Sequence, residues 1–396
     1  MSRNRKIVVL VSGASVAGLT AAFWLSKYDF TVTVVERAPH LRPGGQALDV
    51  RGPALQIAER MGVLASLRSR STGLTGISAV NADGEEIYRD TSRTLTGGRF
   101  DSPDIEILRD DLCQILYEAI RGRAQFLFDD RVTSISQDET GAAVTFASAS
   151  PRRFDLVIGA DGLHSGVRTL AFGPEKDFIL RLGDSYVATF GMPNFLGLER
   201  WEVLYQHEAL SVGAMLMGLR KDADVRAYVG FKASEPIDYD YRNIEAQKRL
   251  VADRVIGGGW ILPQIVEHML SATDFHFDST SQIRMDSWSR GRVVLVGDAG
   301  YSVALATGQG TTVAMVGAYV LAGELADRKN DLVAGIAAYE GELREYVLRN
   351  QDDALRVSSE PQTMPGDGGD AETGSSSDGF PDLGRMVQPI DLKDYT

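Results

Sequence analysis

The sequence predicts an α/β protein in which a parallel sheet is combined with a separate antiparallel sheet. The first observation is the β-branched run Ile7–Val11, which is followed by a glycine-containing turn, a helix over Val16–Leu25 and a second apolar run, Thr31–Val35. Strands that are apolar throughout are typical of parallel sheets covered on both faces. The second observation is the alternation of apolar and polar residues between about 180 and 235, which favours antiparallel strands.

The remaining elements follow from the same two patterns. Helices are expected over 53–70, 109–122, 243–256 and 310–327. Further strands are expected at Phe126–Phe128, Val132–Ser136, Ala143–Phe146, Leu156–Ile158, Tyr186–Phe190, Glu202–Tyr205, Ser211–Leu219, Ala227–Phe231 and Arg292–Val296. We therefore expect a discontinuous first domain (1–175 and 283–355) and a second domain (176–282). An acidic tail (356–396) is rich in Pro, Gly and Ser, which indicates weak order or a surface wrap.

Composition and charge argue against several classes of protein. The 396 residues include 41 Lys and Arg against 54 Asp and Glu, a formal charge of −13, whereas nucleic-acid partners require a basic surface. The single cysteine, Cys113, cannot form an internal disulfide or a cysteine-clustered zinc site, and its apolar neighbours predict core packing. The five histidines show no metal-ligand spacing. Apolar stretches fall short of the roughly 18 residues of a membrane span, so a cytoplasmic protein without membrane partners is expected.

The first glycine-containing turn indicates dinucleotide binding. Residues 13–18 form a GxGxxG pattern with serine at the second glycine position, where Gly13 permits the tight turn and Gly18 lets the helix pack on the strand. The residues between them that begin the helix, and whose N–H groups face a pyrophosphate in a Rossmann-like unit, are Ser15, Val16 and Ala17. Glu36, which Arg37 follows, is placed to accept hydrogen bonds from ribose hydroxyls. A tight βα turn without a ligand is the alternative.

Two further strands end in turns that combine glycine with aspartate. Asp161 follows the strand Leu156–Ile158, and taken alone it is either a helix cap or part of a binding site. Asp298 follows the strand Arg292–Val296, and a carboxylate at such an edge can hold ribityl or ribose hydroxyls. The helix over 310–327 begins in a loop whose N–H groups can hold an anion or a carbonyl edge, formed by Gly308, Gln309, Gly310 and Thr311.

In this order and at these spacings, the three turns resemble those of the single-component FAD-dependent aromatic hydroxylases, most closely the bacterial monooxygenases that modify polyketides and tetracyclines. The resemblance covers about residues 6–350. It implies an aromatic-hydroxylase-like fold that holds FAD non-covalently and uses the antiparallel sheet as a substrate domain. It further implies that NADPH reduces the flavin and that O2 then forms a C4a-hydroperoxide, which hydroxylates a polycyclic aromatic or phenolic small molecule.

The resemblance assigns the adenosine half of FAD to the first turn. Glu36 and the adjacent Arg37 are then placed at the adenosine ribose, and residues 13–18 at the pyrophosphate. Asp298 is placed at the ribityl chain. Arg109 matches an arginine that contacts FAD in the family.

The resemblance assigns the flavin half of FAD, and NADPH, to other segments. Asp49 matches a contact on the flavin side and Arg42 a residue that meets NADPH, and Gln46 lies in the same segment. Asp161 is placed between the flavin and NADPH functions. The loop 308–311 matches the one beside the isoalloxazine ring.

The second domain supplies the candidate substrate contacts. Alternation along two strands pairs Val187 with Thr189 and Met215 with Met217, either as substrate contacts or as plain core residues. His164, in the Asp-Gly turn, is either a proton carrier or a structural residue.

One feature separates this chain from a complete match to the family. Family members carry a proline between the Gly-Asp turn and the Gly-Gln-Gly loop, whereas residues 301–307 contain none. A flavin-dependent dehydrogenase, a non-redox cyclase or a non-catalytic small-molecule binder on the same scaffold therefore remain alternatives. A monomer or a homodimer is expected.

Overall fold

The computed structural model describes residues 6–95, 97–359 and 386–395. Its strands, numbered in chain order, are β1 (Val8–Ser12), β2 (Thr31–Val35), β3 (Ala47–Val50), β4 (Ile77–Val80), β5 (Glu86–Asp90), β6 (Arg93–Thr94), β7 (Gly98–Arg99), β8 (Ile105–Leu108), β9 (Gln125–Leu127), β10 (Val132–Asp138), β11 (Gly141–Phe146), β12 (Arg152–Phe154), β13 (Leu156–Gly159), β14 (Ile179–Met192), β15 (Trp201–His207), β16 (Val212–Gly218), β17 (Val225–Lys232), β18 (His276–Ile283), β19 (Ser289–Arg290) and β20 (Val293–Leu295). Its α-helices are α1 (Val16–Lys27), α2 (Pro53–Arg60), α3 (Leu64–Ser69), α4 (Arg109–Ile120), α5 (Gly166–Ala171), α6 (Ile244–Val255), α7 (Leu262–Ser271), α8 (Asp298–Tyr301), α9 (Gly310–Asp327) and α10 (Leu332–Ser359).

A six-stranded, mainly parallel sheet forms the first layer, in the order β19-β20-β13-β1-β2-β9. Helix α1 packs against α9 and α4 beside this sheet. Every residue from Val16 to Leu25 is buried, as is every residue of α9 from Thr311 to Leu325. Helices that are apolar on all sides are buried on all sides, which explains why these two show no polar face. The carboxyl ends of β1, β2, β13 and β20 lie at one edge of the sheet, as parallel pairing requires.

A seven-stranded sheet forms the second layer, in the order β18-β14-β17-β16-β15-β4-β5. Tyr186, Phe190 and Phe231 lie on one face, in an apolar cluster to which α6 and α7 contribute Val251 and Ile265. The opposite face meets the first layer, because the Tyr228 hydroxyl on that face accepts a hydrogen bond of 2.8 Å from Ala47 N–H in β3. The predicted α/β class, with a parallel and an antiparallel sheet, is confirmed.

Several elements differ from the sequence-based expectation. The helix expected over 53–70 is two helices, because Gly62 adopts φ +75° between α2 and α3. The strand expected from Ser211 begins one residue later, since Ser211 is itself left-handed. The sequence reading omitted α7, β18 and the 28-residue α10. Within the described residues no helix combines the length and the apolarity needed to cross a bilayer.

The structure describes only part of the expected acidic tail, residues 356–396. Helix α10 continues to Ser359. Residues 386–395 wrap the body, where Lys393 O accepts a hydrogen bond from Arg60 and the Tyr395 hydroxyl donates to Glu324 at 2.9 Å. Residues 360–385 of the expected tail lie outside the described residues. The domain boundaries stay a prediction. Strands β4 and β5, which come before residue 176, nevertheless belong to the second sheet together with strands that follow residue 178.

Candidate functional site

Three glycine-containing turns that are distant in sequence meet at the carboxyl edge of the parallel sheet. Gly13 has φ +108°, and a Cβ there would lie 2.3 Å from the carbonyl oxygen of Ala160, so the first turn touches the second. Gly297 has φ +65°, and a Cβ there would lie 2.9 Å from the Cβ of Ala17, so the third turn touches helix α1. The absence of side chains at these two positions allows the turns to approach this closely.

Glu36 closes the first turn from the end of β2. One of its carboxylate oxygens accepts a hydrogen bond of 2.8 Å from Ala14 N–H, and the other accepts one of 3.0 Å from Ala38 N–H. Ser15 directs its hydroxyl toward α4, where it lies 3.7 Å from the Sγ of the buried Cys113. No side chain caps the start of α1, so the first N–H groups of this helix are left for an anion, as an anion-binding turn requires. Arg37 is exposed beyond Glu36.

Arg109, at the start of α4, fixes the arm formed by residues 42–49. Its guanidinium donates to the carbonyl oxygens of Arg42 at 2.7 Å and Gly44 at 2.9 Å. Protein surrounds the Arg42 side chain, although water still reaches it. Burial and the charge of Arg109 lower the pKa of Arg42 to about 10, so Arg42 stays positively charged at neutral pH.

Asp298 lies at the start of α8, directly after the third turn. Water reaches its carboxyl group even though protein encloses it. Burial and the negative charge of Asp278 raise the pKa of Asp298 to about 6. Burial and the positive charge of Arg42 lower the pKa of His276 to about 4, so this imidazole is neutral. His276 and Asp278 were not singled out from the sequence, and the only local signal for them is the polar–apolar–polar start of β18, where they flank Phe277.

Some of the buried polar atoms without a hydrogen-bond partner lie on segments that contact one another near the three turns. They belong to residues just before and on β3, on α4, on β14 and in the loop before α9, and are Gln46 Oε1, Asp49 Oδ1, Arg109 Nε, Thr189 Oγ1, Thr307 Oγ1 and Gln309 Oε1. A buried polar atom without a partner costs about 1–3 kcal/mol, so native proteins rarely leave several together. Donors and acceptors on several adjoining segments fit an elongated ligand rich in oxygen and nitrogen, such as FAD.

The loop that lacks the family's proline is held by hydrogen bonds instead. The carbonyl oxygen of Ser302 accepts from Ile283 N–H at 3.2 Å and from the Gln351 side chain at 3.0 Å. Ala304 adopts φ +70°, a strained conformation for alanine. The loop 308–311 follows, where Gly308 has φ +64° and Gly310 has no atom within 4 Å of a Cβ position, which leaves room beside the start of α9. The loop is therefore ordered by β18 and α10 rather than by a fixed proline φ.

Asp161 supports the start of α5, where Ser165 is the N-cap residue. Its two carboxylate oxygens accept hydrogen bonds from the Ser165 hydroxyl and from Val167 N–H, at the start of α5. Of the two interpretations that the sequence leaves open for Asp161, this arrangement corresponds to the helix cap rather than the binding site. Both carboxylate oxygens take part in it.

His164 is held between two carboxylates and an aromatic ring. Its Nδ1 lies 3.0 Å from Glu175, its Nε2 lies 3.2 Å from Asp278, and its ring stacks on Tyr241 with 4.1 Å between the centroids. Burial alone lowers the pKa of His164, but the two neighbouring carboxylates of Asp278 and Glu175 outweigh it and raise the pKa to about 9. An imidazolium engaged at both nitrogens favours the structural interpretation over the proton carrier.

We predict that His164→Gln destabilises the fold in a pH-dependent way. The folded pKa lies above the value of about 6.5 in an unfolded chain, so the ion pairs contribute fully below pH 6.5 and are lost as pH rises through about 9. The difference in unfolding free energy between wild type and variant should therefore shrink between these two pH values. Urea unfolding at several pH values measures it, with the exposed His40→Gln as the control. A difference that stays constant with pH would refute the paired imidazolium.

The four candidate substrate residues lie on the sheet face that meets the first layer. Thr189 pairs with Tyr228, and Tyr228 pairs with Met215, in adjacent strands. Residues two apart along a strand share a face, so Val187 and Met217 lie on this face as well. Met215 and Met217 are buried but belong to neither apolar cluster. Among the residues with described side chains, no cluster of three or more His, Cys, Asp and Glu could hold a metal ion.

Comparisons with known proteins agree with this geometry. The family model described as the FAD binding domain matches residues 6–348. An uncharacterized protein of Mycobacterium tuberculosis is 50% identical over 343 residues, which are 87% of this chain and 91% of that protein. A flavin-dependent monooxygenase of Legionella longbeachae is 35% identical over 360 residues, covering 90% of each chain. The crystal structure of tetracycline destructase Tet(51) superposes with a TM-score of 0.82 at 33% identity, over 89% of this chain and 91% of that one.

Proposed function

The chain belongs to the FAD-binding-domain family and is an FAD-dependent monooxygenase, and from this premise we propose that it consumes NADPH and O2 to hydroxylate a polycyclic aromatic or phenolic small molecule. The single observation that carries the proposal is the set of unpartnered buried polar atoms on adjoining segments beside the three glycine turns. Such a set of donors and acceptors is suited to one elongated cofactor rich in polar atoms.

The chain's own residues divide the work of holding FAD. Glu36 is the acceptor for the adenosine ribose, and the N–H groups at the start of α1 face the pyrophosphate. Asp298 accepts from the ribityl hydroxyls. Gln46, Asp49 and Gln309, which each have an unpartnered buried polar atom, would contact the flavin ring. Bound FAD supplies the two-electron chemistry and the reaction with O2.

The overall reaction balances with one reductant and one oxidant. NADPH and a proton supply two electrons and two hydrogens, one oxygen atom of O2 enters a C–H bond of the substrate as a hydroxyl group, and the other leaves as water. Arg42 offers a positive charge in the cleft for the phosphates of NADPH. The buried face with Met215 and Met217 would exclude water from the substrate, which limits side reactions that waste NADPH and O2.

The substrate class is supported by the relatives and by the shape of the second sheet. The solved relative is named for the destruction of tetracycline, a fused-ring phenolic molecule. In this chain, Thr189 and the two methionines give a mostly apolar face with one unpartnered hydroxyl. Such a face suits an aromatic skeleton that carries oxygen substituents.

The proposal is tested with purified protein in two steps. The first is an absorption spectrum, where a flavin band is expected. The second measures NADPH oxidation with a panel of fused-ring phenols, followed by mass spectrometry of the product formed under O2 labelled with oxygen-18. One labelled oxygen atom per product is expected. Product without the label would identify a dehydrogenase or a cyclase, and substrate affinity without flavin or NADPH oxidation would identify a non-catalytic binder.

Arg42→Ala is expected to slow the reduction of bound flavin by NADPH while FAD occupancy stays unchanged. The loss of a charge-assisted contact of about 1.5–3 kcal/mol corresponds to a reduction of about 10- to 150-fold. Stopped-flow absorbance at the flavin band measures the rate. The exposed Arg220→Ala, which removes the same charge elsewhere, is the control. An unchanged reduction rate in Arg42→Ala would contradict the NADPH role.

A further inference from the structure

Three residues of the second sheet, Val187, Gly230 and Gly213, form a row across neighbouring strands. The row lies two residues along the strands from the pair Thr189 and Tyr228. Val187 pairs with Gly230, and Gly230 pairs with Gly213, so the three residues cross β14, β17 and β16 side by side. All three are partly exposed. The row begins at Asp278, which pairs with Val187 and contacts His164. It therefore lies on the face that meets the first layer and borders the Asp-Gly turn.

Gly230 has no structural reason to be glycine. Its φ is not in the left-handed region, and a Cβ there would have only Tyr186 O at 3.6 Å and Val187 Cγ2 at 4.0 Å as neighbours, both within the same sheet. Gly213 differs, because a Cβ there would lie 3.0 Å from Tyr205 O. Glycine in the interior of a strand costs stability, and where the backbone does not require it, it marks the close approach of a ligand or another chain.

A second and independent feature of the same face points to a ligand. Thr189 is 7% exposed, and its hydroxyl oxygen is buried without a hydrogen-bond partner. Thr189 follows Val187 by two residues on β14, so its side chain leaves the sheet on the same side as the row. The ligand that covers Gly230 can therefore place an oxygen or nitrogen atom against Thr189.

We propose that Val187, Gly230 and Gly213 form a flat shelf on which one face of a fused-ring substrate lies, with Thr189 Oγ1 bonded to a polar atom on the edge of that substrate. Neighbouring strands lie about 4.8 Å apart, so the three positions span about 10 Å, the length of about three fused six-membered rings. The bare backbone at Gly230 admits a ring face that a Cβ would lift away. The shelf rests on the proposed function, since it specifies the substrate class of the same site.

The test measures equilibrium binding to the FAD-loaded, unreduced enzyme, so it needs no turnover. The probes are 1,8-dihydroxyanthraquinone, which has three fused rings, and 4-hydroxybenzoate, which has one. Gly230→Val is expected to weaken anthraquinone binding by about tenfold or more, because added methyl groups in a filled contact displace the ligand. Binding of 4-hydroxybenzoate should not change. Gly230→Ala should give an intermediate loss, and Thr189→Val, which keeps the shape but removes the hydroxyl, should weaken the anthraquinone several-fold.

Folding and function are controlled separately. Valine is favoured in strands, so Gly230→Val should keep its FAD content and unfold at the same or a higher temperature. Ala143→Val, at an exposed position of β11, is the matched control and should bind both probes as wild type does. Wild-type affinity of Gly230→Val for the anthraquinone would overturn the shelf, and so would failure of the wild type to bind the anthraquinone. Binding that depends on Gly230, without product labelled from O2, would overturn the proposed function alone.

Discussion

Asp298→Ala is expected to give a folded protein that is purified almost without flavin. The Asp298 carboxyl group opens into the cleft and lies at the start of the short helix α8, whose Ala299 and Tyr301 are buried. The variant therefore loses an acceptor for ribityl hydroxyls without opening the core. Hydrogen bonds to a charged group contribute about 1.5–3 kcal/mol each, so FAD affinity should fall by about 10- to 150-fold for each bond. Flavin content after purification and FAD titration of the apoprotein measure the loss.

The same carboxyl group should make FAD binding depend on pH. Burial and Asp278 raise the pKa of Asp298 to about 6, so the carboxylate takes up a proton as the pH falls through this value and becomes a weaker acceptor. FAD affinity should therefore decrease from pH 7 to pH 5. The stability of the flavin-free protein should change in the opposite direction. The folded state holds the proton on Asp298 more tightly than the unfolded chain does, so the free energy of unfolding increases as the pH falls. Asp298→Asn should bind FAD weakly at every pH and should be more stable than wild type at pH 7.

Asp222→Ala, which removes an exposed carboxylate far along the chain, is the control for both measurements. It should retain wild-type flavin content and the wild-type pH profile. Normal flavin content in Asp298→Ala would remove Asp298 from the cofactor site, and the assignment of the third turn would fail with it.

The turns could be predicted from the sequence because each is a local structure. Gly13, Gly297 and the polar residues around them lie within a few residues of an apolar strand, and the geometry of a βα turn depends on those few residues. Glu36 was found in the same way, at the end of the next strand. The comparisons confirm the family that these turns predicted.

The second sheet could be predicted only in part, because its pairing is non-local. Strand β4 pairs in parallel with β15, and no pattern near Ile77 indicates a partner at Glu202. Alternation indicates that Met215 and Met217 share a face, but a face can be covered by helices or by the other layer, and the sequence does not distinguish them. His276 and Asp278 were missed for the same reason, since their strand reaches the cleft only through its pairing with β14.

Gly13→Ala is expected to destabilise the fold and to abolish FAD binding. Two costs add at this position. Alanine at φ +108° is strained by about 1–3 kcal/mol, and its Cβ would lie 2.3 Å from the carbonyl oxygen of Ala160, which is backbone at the end of β13. Because the backbone of a central strand cannot move away cheaply, overpacking adds about 1–3 kcal/mol. Urea unfolding measures the sum, and absorbance at the flavin band measures FAD content.

Gly162→Ala separates the contact from the strain. Gly162 lies in the second turn with φ +82°, but a Cβ there would have no described atom within 4 Å, so only the conformational cost of about 1–2 kcal/mol applies. The excess loss in Gly13→Ala then reports the contact between the first and second turns. If the two variants lose the same stability, the clash with Ala160 contributes nothing. If Gly13→Ala keeps its flavin, the close approach of these turns is not what forms the FAD site.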